Sequence, residues 1–202
     1  MTSEGALLRL QCPTCGRPRE GGPEALVYTC RVCRKATVMG REPAEYPLVY
    51  AAARSAFPGR KVYVPFWLLE GEASWVCEDS RKARAYASAR RLGALAIPAF
   101  WSPLAVYHDN LTLRYAMDPE SLTFEDRDDP VLDGVRSPEI LPELARLTWL
   151  AYLDRIADVT GLELQFRASS LKYAAVPFFE DGEKMLDGIL GVSFPSSMFA
   201  AG

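Results

Sequence analysis

Two closely spaced cysteine pairs near the N-terminus constrain this chain more than any other feature. Both have C-x-x-C spacing, in the segments Cys12-Pro13-Thr14-Cys15 and Cys30-Arg31-Val32-Cys33, and fourteen residues separate them. A tight turn between two cysteines points both sulfurs toward one centre, and two such turns joined by a hairpin supply four thiolates at ~2.3 Å around a tetrahedral ion. The spacing therefore predicts one metal site, formed by Cys12, Cys15, Cys30 and Cys33.

Residues 9–40 resemble the zinc-ribbon group of proteins, which hold zinc between two cysteine knuckles. The most characteristic piece is the Cys-Pro-x-Cys-Gly knuckle at residues 12–16, where Gly16 allows a positive φ. The resemblance implies a structural zinc ion bound by all four cysteines. The second knuckle departs from the usual pattern, because Arg34 stands where glycine commonly follows.

Two other uses of the four cysteines are weighed against zinc. A disulfide within a C-x-x-C pair closes a very small ring, and nothing else in the sequence indicates an oxidising compartment. Rubredoxin-like proteins hold iron with the same four sulfurs, but the fourteen-residue gap is short for that family. Zinc is the expected metal, with iron as the alternative. A site filled by four sulfurs is expected to be structural rather than catalytic.

The overall composition is that of a folded globular protein. The 202 residues are 49% hydrophobic and 24% charged, with a formal net charge of −3. No apolar run reaches the ~20 residues of a membrane-spanning helix. The N-terminal stretch lacks a basic leader, so no secretory signal is expected and a cytoplasmic location is predicted.

The chain divides into a small module, a linker and a larger body. Residues 9–40 are the predicted zinc ribbon, and residues 41–47, which contain two prolines, are the predicted linker. Residues 48–202 are predicted as a mixed domain, so the expected fold class is α+β with a small N-terminal β zinc ribbon. Elements predicted in the body are strands at 61–74, 111–115, 122–124, 162–167 and 172–179, helices at 80–92, 137–160 and 183–190, and a strand or short helix at 48–53.

Three segments share an aliphatic-Pro-x-aromatic or Pro-aromatic core around Pro65, Pro98 and Pro177. The segments 61–72 and 172–183 are similar over their full length, which favours an internal duplication about as strongly as coincidence among strand-forming residues. Because proline interrupts the hydrogen-bond ladder of a sheet, each proline is expected at a strand edge or bulge. The three segments are therefore candidates for an aromatic contact surface.

Motifs of common enzymes are missing from the sequence. The chain has one histidine, His108, which excludes metal sites that need two imidazoles. Cys77 has acidic neighbours that disfavour a reactive thiolate, and there is neither a Gly-x-Ser-x-Gly elbow nor a phosphate-binding glycine loop. The chain is therefore predicted not to be an enzyme.

Charge is distributed unevenly. Residues 118–161 hold four Lys or Arg against eleven Asp or Glu, whereas the predicted helix at 80–92 carries a basic stripe. The stripe consists of Arg81, Lys82, Arg84, Arg90 and Arg91. The function predicted from these features is a zinc-binding accessory or scaffold protein that binds other proteins. Nucleic-acid binding is the first alternative, and an electron carrier or an enzyme with an unrecognised site is the second.

Overall fold

A single mixed sheet organises the part of the chain that the computed structural model describes, which comprises residues 11–22, 24–40, 42–100 and 111–199. Its strands are β1 (Val27–Cys30), β2 (Lys35–Val38), β3 (Ala44–Ala51), β4 (Arg60–Cys77), β5 (Leu95–Pro98), β6 (Phe124–Glu125), β7 (Leu162–Asp181), β8 (Lys184–Asp187) and β9 (Ser193–Pro195). The helices are α1 (Ser80–Tyr86), α2 (Leu111–Met117) and α3 (Leu141–Asp154). The predicted α+β fold class is confirmed.

The strands are ordered β1-β2-β3-β7-β4-β5, with β6 paired to β3, β8 to β7 and β9 to β8. The long strands β4 and β7 are antiparallel along nearly their whole length, whereas β3 runs parallel to β7 at residues 48–50. At its other end β3 is antiparallel to β2 at residues 44–47. One strand thus joins the cysteine module to the body.

The central part of β4 is buried on both faces of the sheet. Tyr63, Trp67 and Leu69 pack with α3 and α1 on one face, and Val64 and Phe66 pack with α2 on the other. This explains why the sequence there reads as a continuous apolar run.

The three Pro-aromatic segments do meet, but they form the core rather than a surface. Tyr63 is opposite Pro177, and Phe66 is opposite Pro98, in neighbouring strands of the sheet. All three prolines are buried. The interpretation of these segments as an exposed contact surface is therefore wrong. Their alternating side chains fill both sides of the sheet.

Several predicted elements differ from the structure. Residues 111–115 form part of a helix rather than a strand, although apolar and polar residues alternate there, because five positions are too few to separate the two periods. Residues 184–187 form a strand because Gly182, at a φ of +60°, turns the chain into a hairpin with β7. The helix expected at 80–92 ends at Tyr86, and the helix expected at 137–160 begins with a 3₁₀ turn and ends at Asp154.

The predicted linker contributes the first half of β3, since residues 44–47 pair with β2. Pro47 is tolerated because it lies opposite Lys35 where β3 passes from one neighbour to the next. Whether the cysteine module and the body fold as separate domains stays a prediction.

Asp187 is a fully buried carboxylate that fixes the turn between β8 and β9. Its oxygens accept hydrogen bonds from the Tyr115 hydroxyl at 2.5 Å, Ile189 N at 2.8 Å and Leu190 N at 3.0 Å. Burial raises the pKa of Asp187 above its ordinary value of 3.8, despite these three donors.

Asp187→Asn is expected to lower the free energy of unfolding by about 1 kcal/mol, since the amide oxygen keeps both backbone hydrogen bonds and the contact with Tyr115 reverses, the amide N–H donating to the phenol oxygen. Asp187→Ala leaves three buried donors unpaired and is expected to lower the free energy of unfolding by about 2–4 kcal/mol.

Because the native Asp187 carboxyl keeps its proton to higher pH than the unfolded one, its contribution to stability falls as pH rises above 3.8. Urea unfolding at several pH values measures all three effects. An Asn variant as unstable as the Ala variant would contradict this account.

Candidate metal centre

The four predicted ligands come from two turns at one end of the sheet. Cys30 ends β1 and Cys33 lies in the turn that leads into β2. Cys12 and Cys15 lie in a separate turn, which is closed by hydrogen bonds from Cys12 N to Arg17 O and from Gly16 N to Cys12 O, both 2.8 Å. The φ of Gly16 is +70°, as expected for the residue after the first knuckle.

The four sulfurs converge on one point. All four Sγ atoms lie within 4.8 Å of one another; Cys12 Sγ is 3.7 Å from Cys33 Sγ, and Cys15 Sγ is 3.6 Å from Cys30 Sγ. Four sulfurs at ~2.3 Å from a tetrahedral ion would be about 3.8 Å apart. The donor set therefore fits a single thiolate-bound metal ion, and the close pairs join the two turns rather than the two cysteines of one turn.

The thiols have unequal acidities in this cluster. Burial disfavours the Cys12 thiolate, but hydrogen bonds from the backbone of Cys15 and Thr14 outweigh it and lower the pKa of Cys12 to about 6. Burial raises the pKa of Cys30, and hydrogen bonding to Cys15 together with burial raises the pKa of Cys33 to about 12. Ionisation of one sulfur opposes ionisation of the next, so a shared cation is what allows all four to be thiolates.

Arg34, which stands where a glycine commonly follows the second cysteine pair, adopts a left-handed backbone conformation. Its φ is +51°, and no other described residue except glycine has a positive φ. For a residue with a side chain this conformation costs about 1–2 kcal/mol. The Arg34 carbonyl accepts a hydrogen bond from Leu48 N at 2.9 Å, just where β3 begins to pair with β7.

Basic side chains around the sulfurs are paired with nearby carboxylates. Arg31 binds Glu20 through Nε at 2.9 Å, and Lys35 Nζ lies 2.6 Å from Glu45. The buried Arg19 shares Glu45, with its Nη2 at 3.5 Å. These basic side chains are therefore largely neutralised by ion pairs within the molecule.

Residues 124–134, here called the strap, connect the cysteine turns to the body, and sequence reasoning missed this role. Arg34 forms an ion pair with Asp126, and Arg31 Nη1 donates to Asp128 O at 3.0 Å. Gly134 O accepts hydrogen bonds from Leu26 N and Val27 N at 2.8 and 3.0 Å. The signal available in the sequence was the acidic excess at residues 118–161, which follows a stretch with an excess of Lys and Arg.

Gly134 is required at this junction by close packing. A Cβ atom there would lie 2.0 Å from the Tyr173 hydroxyl and 3.2 Å from Val27 Cβ. The strap can therefore approach both the module and the body because it carries no side chain at this position.

The other residues singled out in the sequence do not join the metal centre. Cys77 Sγ lies 3.7 Å from Asp79 O, at the far end of β4, and His108 lies outside the described residues. The basic stripe is partly paired: Lys82 Nζ lies 2.7 Å from Asp158, and Arg91 lies 2.7 Å from Glu72. Neither pair involves the acidic strap.

Comparison with known proteins gives no match to a protein-family model, a curated protein or a solved structure. None of the helices in the described ranges is long and apolar enough to cross a membrane. The metal centre is therefore interpreted from its own geometry.

Cobalt(II) titration tests the tetrahedral four-sulfur site. The wild-type chain is expected to bind one ion and to give the intense visible bands of tetrahedral cobalt thiolate. Cys15→Ser is expected to weaken binding by at least about 100-fold, because it removes one direct ligand. The matched control Cys77→Ser should bind as the wild type does. Equal loss in both variants, or unchanged binding by Cys15→Ser, would rule out this ligand set.

Proposed function

We propose that this chain is a zinc-binding accessory or scaffold protein that acts by binding other proteins rather than by catalysis. The observation that carries the proposal is the closure of the metal centre by four sulfurs within 4.8 Å of one another. Four thiolates fill a tetrahedral coordination sphere, so no position remains for a substrate or a reactive water. Such a centre stabilises the structure around it.

Zinc suits this donor set because it readily accepts tetrahedral coordination by four thiolates and has no redox chemistry. Iron is bound by similar sulfur sets in electron carriers, so metal content and colour separate the two ions. The two turns also keep their sulfurs 3.6 and 3.7 Å apart, well beyond the ~2.05 Å of a disulfide. Free thiolates are typical of a reducing compartment, and we propose a cytoplasmic location.

A row of apolar side chains on α3 and the turn before it supports protein binding. Ile140 is 48% exposed and Leu147 is 47% exposed, although both are large apolar residues. Together with Leu144 and Ala151 they lie at helical spacing on one side of α3. The opposite side packs on the long strands, where Trp149 contacts Trp75 with ring centroids 5.8 Å apart. An exposed apolar row of this kind is a common contact surface for another protein.

Nucleic-acid binding is less well supported than protein binding. Four basic residues near the metal centre, Arg19, Arg31, Arg34 and Lys35, each have a carboxylate partner within the chain, whereas the exposed Arg17 has no ion pair among the described residues. A protein that neutralises phosphates needs basic side chains that are free to do so. Binding to DNA or RNA that weakens steeply with salt would revive this alternative.

Purification of the native protein tests both parts of the proposal. It is expected to carry one zinc ion per chain, to be colourless, and to co-purify with a second protein in a fixed ratio. The double variant Ile140→Glu/Leu147→Glu should lose that partner while retaining zinc, because it places two charges in the apolar row. Val76→Glu is the control, since Val76 is 66% exposed elsewhere.

Three results would count against the proposal. A coloured iron-containing protein would contradict the zinc assignment. A wild-type protein that remains a solitary monomer at cellular concentration would contradict partner binding. Retention of the partner by the α3 double variant would contradict the surface assigned to it.

A further inference from the structure

We propose that the metal centre holds the strap closed over Tyr50 and Tyr63, so that loss of the ion releases residues 124–134 from the body. This inference rests on the proposed metal site and concerns its consequence for another part of the fold. Metal occupancy would thus control whether the rings of Tyr50 and Tyr63 are exposed.

The contacts between the metal centre and the strap come from residues adjacent to the ligands. Arg31 follows Cys30 and donates to Asp128 O at 3.0 Å, while Arg34 follows Cys33 and pairs with Asp126. Both arginines therefore depend on the turn that Cys30 and Cys33 form when they share an ion. If that turn opens, both contacts are lost together.

Arg34 is the position where the change would begin. Its left-handed backbone, at a φ of +51°, is unfavourable for a residue with a side chain and persists because the surrounding turn is closed. Without a shared ion, four crowded thiols no longer hold the turn, and Arg34 can relax to a common conformation. Relaxation would withdraw its guanidinium from Asp126 and its carbonyl from Leu48 N.

The strap is attached to the body mainly by polar contacts. Asp129 O accepts a hydrogen bond from the Tyr50 hydroxyl at 2.7 Å, and Leu132 N donates to Tyr63 O at 2.9 Å. Its two largest apolar side chains, Phe124 and Leu132, are 47% and 37% exposed. A segment with few buried apolar contacts opens at a lower free energy than a packed helix such as α3.

Opening the strap would uncover a specific surface. Tyr50 and Tyr63 are 2% and 3% exposed and pack edge to face with ring centroids 5.2 Å apart. Strand β6, at the start of the strap, pairs with the end of β3. Later in the strap, Val131 forms a parallel β-bridge with Tyr63. Release would expose both phenol rings next to an acidic, newly freed segment.

Hydrogen exchange measured by mass spectrometry tests this device on the full chain. The probe is zinc, removed by a chelator and then restored, with metal content measured in each sample. Chelation is expected to accelerate amide exchange in peptides from residues 124–134 by at least about tenfold, with α3 unchanged. Restoring zinc should return the slow exchange.

A double variant separates the strap contacts from metal binding. Arg31→Gln/Arg34→Asn removes both contacts, and asparagine tolerates the left-handed turn. This variant should still bind one zinc ion per chain but show the fast strap exchange with the ion in place. The control Arg146→Ala breaks an exposed ion pair with Glu143 on α3 and should leave amide exchange in the strap slow.

The outcomes are distinct. If zinc binds and leaves while strap exchange stays constant, the inference is wrong and the metal site stands. If α3 exchange accelerates as much as the strap, the chain unfolds as a whole and the device is again excluded. If the wild-type chain binds no metal, the proposed function itself fails.

Discussion

Convergence of four cysteine sulfurs on one point is the interaction on which the N-terminal part of this molecule depends. The strands β1 and β2 have four residues each, and the first cysteine turn has no strand of its own among the described residues. So little structure cannot bury enough apolar surface to fold unaided. A thiolate-bound ion supplies roughly 10–16 kcal/mol in small zinc modules, which is enough to replace a hydrophobic core.

The stabilised module does not stand apart from the body. The strand β3 pairs with the module at one end and with β7 at the other, and the acidic strap contacts both. Arg31 and Arg34 beside the cysteines, together with the acidic strap, thus join two parts of one chain. Ion pairs of this exposure contribute little individually, so their main effect is on the placement of the strap. The turn that carries Cys30 and Cys33 therefore contacts residues nearly one hundred positions away in the sequence.

Local features of the site were predictable because the chemistry is local. Two C-x-x-C turns bring their own sulfurs together, and Gly16 has the positive φ expected after the first turn, whereas the positive φ of Arg34 was not predicted. The parallel pairing of β3 with β7 was not predictable, since it depends on contacts between residues far apart in the sequence. The Pro-aromatic segments were wrongly predicted to form an exposed surface for the same reason. Burial of Pro65 and Pro177 depends on which strands pack beside them. The segment 111–115 alternates apolar and polar residues over only five positions, which is too short to distinguish a strand from the helix that forms.

X-ray absorption at the metal edge of the purified protein tests the central claim most directly, because it reports the identity and distance of the ligand atoms. We expect zinc with four sulfur neighbours at about 2.3 Å and no nitrogen or oxygen in the first shell. A shell containing nitrogen or oxygen would mean that one of Cys12, Cys15, Cys30 and Cys33 is not a ligand. The site would then be open rather than closed, and its assignment as a purely structural centre would be contradicted.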